Sequence, residues 1–369
     1  MGALLPFLSL YYRSVGLDLA QIGVLSALAG VVQLVAAPLW SVLADLFRLR
    51  RVLWPLAAAG TIGPYLLIGR TSSFGMLFVL ALVQALFAAP VVALADSATL
   101  TLLGERREQY GAQRVYGGIG WAVSTIVSGR LIERWGYGAA FWGYAVCAAA
   151  AALATLALPQ TQLVAANIAA AARALLRDAR WLAFLSCVFL IGCCGSIVHS
   201  FISLFLQDIG ASDTQIGLAH SIASLSELPV MALSPLVLRR WGARPLMVTA
   251  GVLYAVRMAI YIVAPFPAWA LAAQLLHGLC FGALWTAGVV EVQRLAPPGL
   301  EATAQSLFGL AVFGVASAAA SLIGGWIYQD LGVWALFGIG AVAALAGSIG
   351  LVLSRPERVV DLTQSDVRT

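Results

Sequence analysis

Lysine is absent from this chain, and charge of either sign is scarce. All 21 basic residues are arginine, 16 residues are acidic and 3 are histidine. Charged residues make up 10% of the 369 positions and hydrophobic residues 62%, whereas a soluble domain carries about 25% charged residues. An ordinary soluble domain is therefore excluded. The long apolar runs show no period-2 alternation, which excludes a β-barrel. Enzyme signatures are also missing: there is no HExxH, GxSxG or P-loop. Tyr116-Gly117-Gly118-Ile119-Gly120 lacks a preceding strand and lies in an apolar helix, so it is no nucleotide loop. The five cysteines, at 147, 187, 193, 194 and 280, lie in apolar stretches without CxxC or metal-ligand spacing. They read as buried, inert thiols, with no metal site and no catalytic residue. No secretory signal stands out, and Pro6 rules out a myristoylation motif.

The net charge of +5 is no sign of nucleic acid, because the placement of the arginines accounts for it. Sixteen of them fall between alternate pairs of apolar segments, in the central link, or in the tail: Arg48, Arg50 and Arg51 form one cluster, Arg239, Arg240 and Arg244 another. Only Arg13, Arg70, Arg130 and Arg134 fall on the opposite side, and Arg257 lies inside a segment. The positive-inside rule then predicts a multi-pass plasma (inner) membrane protein with both termini cytoplasmic.

The chain repeats itself. Phe7 to Gly23 reads FLSLYYRSVGLDLAQIG and Phe201 to Gly217 reads FISLFLQDIGASDTQIG, at a constant offset of 194. A second echo pairs Gly129 with Gly325, Gly136 with Gly332 and Phe141 with Phe337. Apolar segments fall at 1–12, 19–43, 51–69, 74–103, 111–132, 138–158, 181–206, 214–238, 245–264, 268–293, 302–327 and 333–353. The expected fold class is therefore all-α membrane protein, with twelve transmembrane helices in two six-helix bundles. The bundles span 1–158 and 181–354, with a cytoplasmic linker at 159–180 and a tail at 355–369. Parallel repeats of this kind point to a transporter with a central site. The first segment has only six residues before Phe7, where its twin has about twenty before Phe201. Twelve helical residues rise about 18 Å against a core of about 30 Å, so about fourteen residues of that helix are expected upstream of Met1.

Charge inside a bilayer is costly and needs a partner or a task. Glu227, Arg257 and His277 sit near the middles of the eighth, ninth and tenth segments, at similar depth. A carboxylate there can take and release a proton as access alternates, and Arg257 and His277 can tune it. The plainer reading is a Glu227–Arg257 pair that only ties two helices. Candidate substrate contacts are Gln33, Gln84, Asp96, Arg114, Gln274 and Trp285. Asp96 and Arg114, on antiparallel neighbours, invite an ion pair. Trp121 and Trp285 offer faces for a ring. His199 and His220 read as packing residues, and Glu291 with Arg294 as a helical salt bridge.

PFLSLYYRSVGL at 6–17, QIGVL at 21–25, PLWSVLAD at 38–45, YGAQRVYGGIGW at 110–121, SELP around Glu227, QLLHGLCFG at 274–282 and ATAQSLFG at 302–309 carry a resemblance. Their order resembles the major facilitator superfamily across nearly the whole chain. More narrowly, it resembles the subgroup of phenylpropionate-, nucleoside- and oligosaccharide-type proton symporters. The resemblance implies two bundles that rock between inward- and outward-open states, with segments 1, 4, 7 and 10 lining the cavity. It makes Asp45 and Arg48 gate candidates, although Ser41 and Arg48 stand where the superfamily's motif commonly has glycine. Trp285 replaces a polar histidine frequent in relatives. The expectation is proton-coupled symport of a small organic solute, by a monomer in the lipid bilayer. It needs no cofactor, the proton gradient being the energy source. Proton-linked efflux of hydrophobic compounds and a non-transporting sensor or inactive relative are the alternatives.

Overall fold

The computed structural model describes residues 1–46, 53–104, 106, 110–158, 175, 177–297 and 299–354. These residues are helical almost throughout, with no strand among them. The helices are α1 (Leu5–Ser14), α2 (Leu19–Leu46), α3 (Leu53–Gly60), α4 (Ile62–Ile68), α5 (Phe74–Leu103), α6 (Tyr110–Trp135) and α7 (Gly138–Thr155). The second half supplies α8 (Ala179–Asp208), α9 (Asp213–Trp241), α10 (Ala243–Val263), α11 (Pro267–Ala273), α12 (Ala283–Leu295), α13 (Glu301–Gly309) and α14 (Ala316–Leu353). Among the described residues, seven stretches are long and apolar enough to cross a bilayer, from Phe74–Leu103 to Thr303–Leu353. Large apolar side chains cover the outside: Val263 is 81% exposed and Leu353 77%. Water would penalise that surface and lipid does not. Exposed Trp135, Trp241 and Trp269 lie at or near helix ends, where amphipathic rings sit at headgroup level.

Some segments differ from the expectation. Within the expected segment 51–69, α3 and α4 are separated at Thr61, whose hydroxyl donates to Ala58 O and accepts from the Tyr144 hydroxyl. α14 breaks into two helices at Gly332, where φ is +85°, between the segments expected at 302–327 and 333–353. Cys147 is exposed and Cys193 half-buried, so burial of the thiols holds for Cys187, Cys194 and Cys280 alone.

The four glycine pairs of the repeat fall into two physical classes. Gly16 and Gly210 both have positive φ, +90° and +86°, as do Gly136 and Gly332, +74° and +85°. A side chain is strained in that region, so glycine turns the chain between helices there. The other two pairs serve close approach. A Cβ on Gly23 would overlap Ser321 O and crowd Gly325 of the opposite half. In the twin crossing, Gly217 meets Thr125 O and Gly129 meets Asp213 O. The halves thus touch twice, α2 against α14 and α9 against α6, in contacts related by the repeat. Both crossings sit near the helix ends that carry few arginines.

Local sequence also sets where α2 and α9 begin. Asp18 and Gln21 form a reciprocal pair: Gln21 N–H donates to Asp18 Oδ1 at 2.7 Å and Asp18 N–H to Gln21 Oε1 at 3.2 Å. Ser212 and Gln215, each 194 residues on, repeat it at 3.3 and 2.9 Å. These capping boxes satisfy N–H groups that a helix start leaves without partners.

Candidate functional site

Three elements of the second half converge at mid-depth: α9, α10 and the irregular helix running from α11 to α12. That helix tightens to a 3-10 turn at Gln274–Leu276 and widens to a π-turn at Gly278–Gly282. Gly278 permits close contact, since a Cβ would overlap Ser226 O on α9. Ser226 Oγ accepts from Gly278 N–H at 2.9 Å and donates to Ala223 O at 2.7 Å. π-turns occur mostly as single insertions, often at functional sites.

A chain of four polar contacts crosses this junction. His277 Nε2 lies 3.1 Å from Glu227 Oε1. Arg257 Nη1 donates to His277 Nδ1 at 2.9 Å, its Nε donates to the Tyr261 hydroxyl at 2.7 Å, and its Nη2 donates to Gln274 Oε1. A guanidinium can only donate, so Nδ1 must accept. The ring proton then sits on Nε2 and points at the Glu227 carboxylate. This assigns a neutral imidazole between an anion and a cation. Arg257 is 0% exposed, while the Glu227 and His277 side chains are 24% and 23% exposed. One end of the chain is wholly buried and the other is partly exposed.

The structure therefore brings Glu227, Arg257, His277 and Gln274 together, without the direct Glu227–Arg257 pair of the plainer reading. His277 stands between the two charges. Trp285 lies two turns further along and stacks on Phe308 at 5.2 Å and 23°. It also meets Phe313 at 4.9 Å, while Phe281 stacks on His277 at 5.6 Å and 13°. Phe313 belongs to a second π-turn, Leu310–Val315, and touches Phe281 at 5.9 Å. Sequence reading missed Phe281, Phe313, Tyr261 and Ser226. The signal for Phe281 was present: Gln274, His277, Phe281 and Trp285 are spaced 3, 4 and 4, one face of a helix.

Other expected residues lie elsewhere. Gln84 and Asp96 are half-buried on α5, in the first half. The side chains of Gln33, Asp45 and Arg114, and all of Arg48, lie outside the described residues, as do most of the linker and the tail. Trp121 is half-buried on α6. His220 packs as expected, 2.9 Å from Ser203 Oγ, but His199 is exposed. The Glu291–Arg294 contact exists but is loose at 3.7 Å, and Arg244 is the tight partner of Glu291 at 2.9 Å.

Comparison with known proteins covers nearly the whole chain. The model of the MFS_1 like family matches residues 1–339. Maltose permease of Geobacillus stearothermophilus is 27% identical over 361 residues, 95% of this chain and 90% of that protein. A protein named "Probable 3-phenylpropionic acid transporter", from Escherichia coli (strain K12), is 26% identical over 356 residues, 93% and 91% of the two chains. The crystal structure of nucleoside transporter NupG matches with a TM-score of 0.82, covering 96% of this chain and 95% of that one at 18% identity. At that identity the likeness is one of fold.

Proposed function

The chain belongs to the MFS_1 like family of the major facilitator superfamily, and from that premise we propose that it is a proton-coupled symporter of a small organic solute. It is a membrane transporter of small solutes and not an enzyme. The observation that carries the finer reading is the polar chain Glu227–His277–Arg257. A carboxylate at mid-depth, reachable at one end and backed by a neutral histidine and a sealed cation, suits cyclic uptake and release of a proton. Protonation of Glu227 leaves Arg257 held by Gln274, Tyr261 and His277, so the change of charge stays local. The solute would sit beside this chain near the midplane, against Gln274 and Trp285 and facing Gln33, Gln84, Asp96 and Arg114 of the first half. Asp45 and Arg48 would gate the arginine-rich side.

Twelve spans in two bundles, 1–158 and 181–354, complete one transport unit, which favours a monomer. The placement of the arginines puts both termini and the linker in the cytoplasm, in an inner membrane. The crossings at Gly23 and Gly217 would then close the outer face. The proton gradient would be the energy source, without a cofactor.

The test is proton movement in lightly buffered, de-energised cells given aromatic acids, nucleosides and oligosaccharides in turn. External alkalinisation with one class establishes symport and names the solute class. Acidification on addition of hydrophobic compounds points to efflux instead. Glu227→Gln is expected to abolish proton-driven accumulation while leaving solute exchange intact. A Glu227→Gln protein that still accumulates solute refutes the role of Glu227.

A further inference from the structure

The turn from α9 to α10 carries charge without a counter-charge. Arg239 and Arg240 are exposed, and neither meets a carboxylate among the described residues. Arg13, at the arginine-poor end, has Asp208 at 2.5 Å. Arg294 adds to the patch by register. Ser226 sits against Gly278 and Val230 against Gly282, so α9 and the irregular helix run parallel at a constant offset of 52. That offset sets Arg294 level with Gly242. The hold of Arg294 on Glu291 is loose at 3.7 Å, and that carboxylate is wholly buried beside Arg244. The repeat does not supply this charge. Arg239 and Arg240 are Asp45 and Leu46 plus 194. The pair therefore has no twin in the first half, and the turn is no second copy of the gate proposed at Asp45.

Position around α9 decides what the patch faces. Successive helical residues turn by about 100°, so Leu233, Leu236 and Arg240 stand about 120° or more around the helix from Glu227. Their spacing of 3 and 4 puts them on one face, and it points away from the polar chain. Leu233 is 54% exposed and Leu236 63%. An apolar stripe thus runs for two turns and ends in a guanidinium. Trp241 follows, 59% exposed, as an amphipathic ring at headgroup level. α10 then begins with no side-chain cap. Such a start presents free N–H groups and the positive end of the helix dipole. Charge, stripe and open helix start together select an amphiphile with an anionic head.

We propose that the α9–α10 turn binds an anionic phospholipid of the surrounding leaflet. Arg239 and Arg240 hold its phosphate, and an acyl chain lies along Leu236 and Leu233. A guanidinium meets a phosphate with two parallel donors, which a point charge cannot do. A zwitterionic headgroup brings its own cation, so its phosphate gains less from the arginines. A free phosphate or an acidic soluble protein would use the arginines and leave the stripe unused. The lipid would steady the ends of α9 and α10, the two helices that carry Glu227 and Arg257. The site lies off the solute route, and the proposal does not depend on proton coupling.

Native mass spectrometry of the purified full chain in detergent counts bound lipids one at a time and needs no solute. Phosphatidylglycerol is titrated against phosphatidylcholine with the same acyl chains. At its tightest site the parent is expected to prefer phosphatidylglycerol about thirtyfold, each arginine at an anionic surface contributing about fivefold. Arg239→Gln with Arg240→Gln should bring the ratio near one. Arg50→Gln with Arg51→Gln, in the arginine cluster of the first half, should leave it unchanged. Leu236→Asn keeps the charge and should weaken phosphatidylglycerol several-fold, which tests the stripe if the double arginine variant does not fold. Glycerol 3-phosphate, a head without chains, should not displace phosphatidylglycerol at equal concentration. A parent that binds both lipids equally overturns the proposal, as does a preference that survives loss of Arg239 and Arg240 or falls with Arg50 and Arg51. Displacement by glycerol 3-phosphate would assign the turn to free phosphate instead. A Leu236→Asn protein with the parent's affinity would remove the acyl chain from α9 and is equally fatal.

Discussion

At the residue scale, Arg257 is the least replaceable side chain of the second half. It is wholly buried and donates to three acceptors on two elements. Lysine offers one compact charge where the guanidinium offers a rigid fork. Arg257→Lys is therefore expected to lose most accumulation although the charge survives. Arg257→Ala leaves Gln274 Oε1 and His277 Nδ1 unpaired in a site of low dielectric, which costs about 1–3 kcal/mol for each group. Thermal unfolding in detergent should show a clear loss for the alanine variant and a smaller one for lysine. His277 is tested by the ring nitrogen that each neighbour uses. Asparagine can present one acceptor or one donor near the ring's place but cannot span both partners. His277→Asn should thus uncouple Glu227 from Arg257 and shift the pH profile of uptake. An unchanged profile would assign His277 to packing.

At the element scale, the end of the second half is tied by one arginine. Arg244, on the first turn of α10, donates to Glu291 near the end of α12 at 2.9 Å and to the Leu351 and Ser354 carbonyls at the end of α14. These carbonyls lack helical partners by position, so Arg244 closes three helix ends together. Glu291 is 0% exposed, and removing one partner of a buried pair costs about 3–5 kcal/mol. Arg244→Ala is expected to lower the melting temperature sharply, and Arg244→Ala with Glu291→Ala should recover part of the loss. Additive losses would show the pair to be uncoupled. The irregular helix makes a second prediction. Gly278→Val puts a branched side chain into the backbone of Ser226, and overpacking of this kind costs about 1–3 kcal/mol. Since Glu227 follows Ser226, the variant should lose accumulation as well as stability. Full activity would mean that the π-turn absorbs the change.

At the scale of the whole molecule, the repeat explains how one chain closes on itself. Each half supplies one glycine crossing to the other, and Gln329 and Glu133 each accept from a helix-start amide of the opposite half, so the same local sequence serves twice. Charge breaks the symmetry: Arg13 answers to Gln207, Glu133 to Gln329, and the polar chain of Glu227 lies in the second half only. Arg13→Ala is expected to change stability by under about 1 kcal/mol, as for other exposed pairs. Arg13→Asp sets like charge against Asp208 and should open the arginine-poor end. Spin-label distances across the two halves distinguish these outcomes, and no change with Arg13→Asp would remove the ion pair from the gate.

The sequence by itself determined the membrane class, the long apolar helices and the repeat that relates the halves, because these follow from apolar length and a repeat at fixed offset. It also placed Glu227, Arg257 and His277 at one depth, since depth follows from position along a helix. It did not place His277 between the two charges, because the rotation of three helices about their axes is set by packing at Gly278 and Ser226. Nor did it distinguish the turning glycines from the crossing ones, although both classes stood in the repeat. A backbone dihedral and a neighbour from the opposite half are properties of the folded chain. The Glu291–Arg294 bridge was legible from its spacing, but the closer partner of Glu291 was not, for the same reason. Arg294 is near in sequence, but Arg244 arrives from another helix, and burial without water favours the tighter, better aligned contact. Tertiary structure decided which polar groups meet, because each buried group must find a partner wherever the fold brings one.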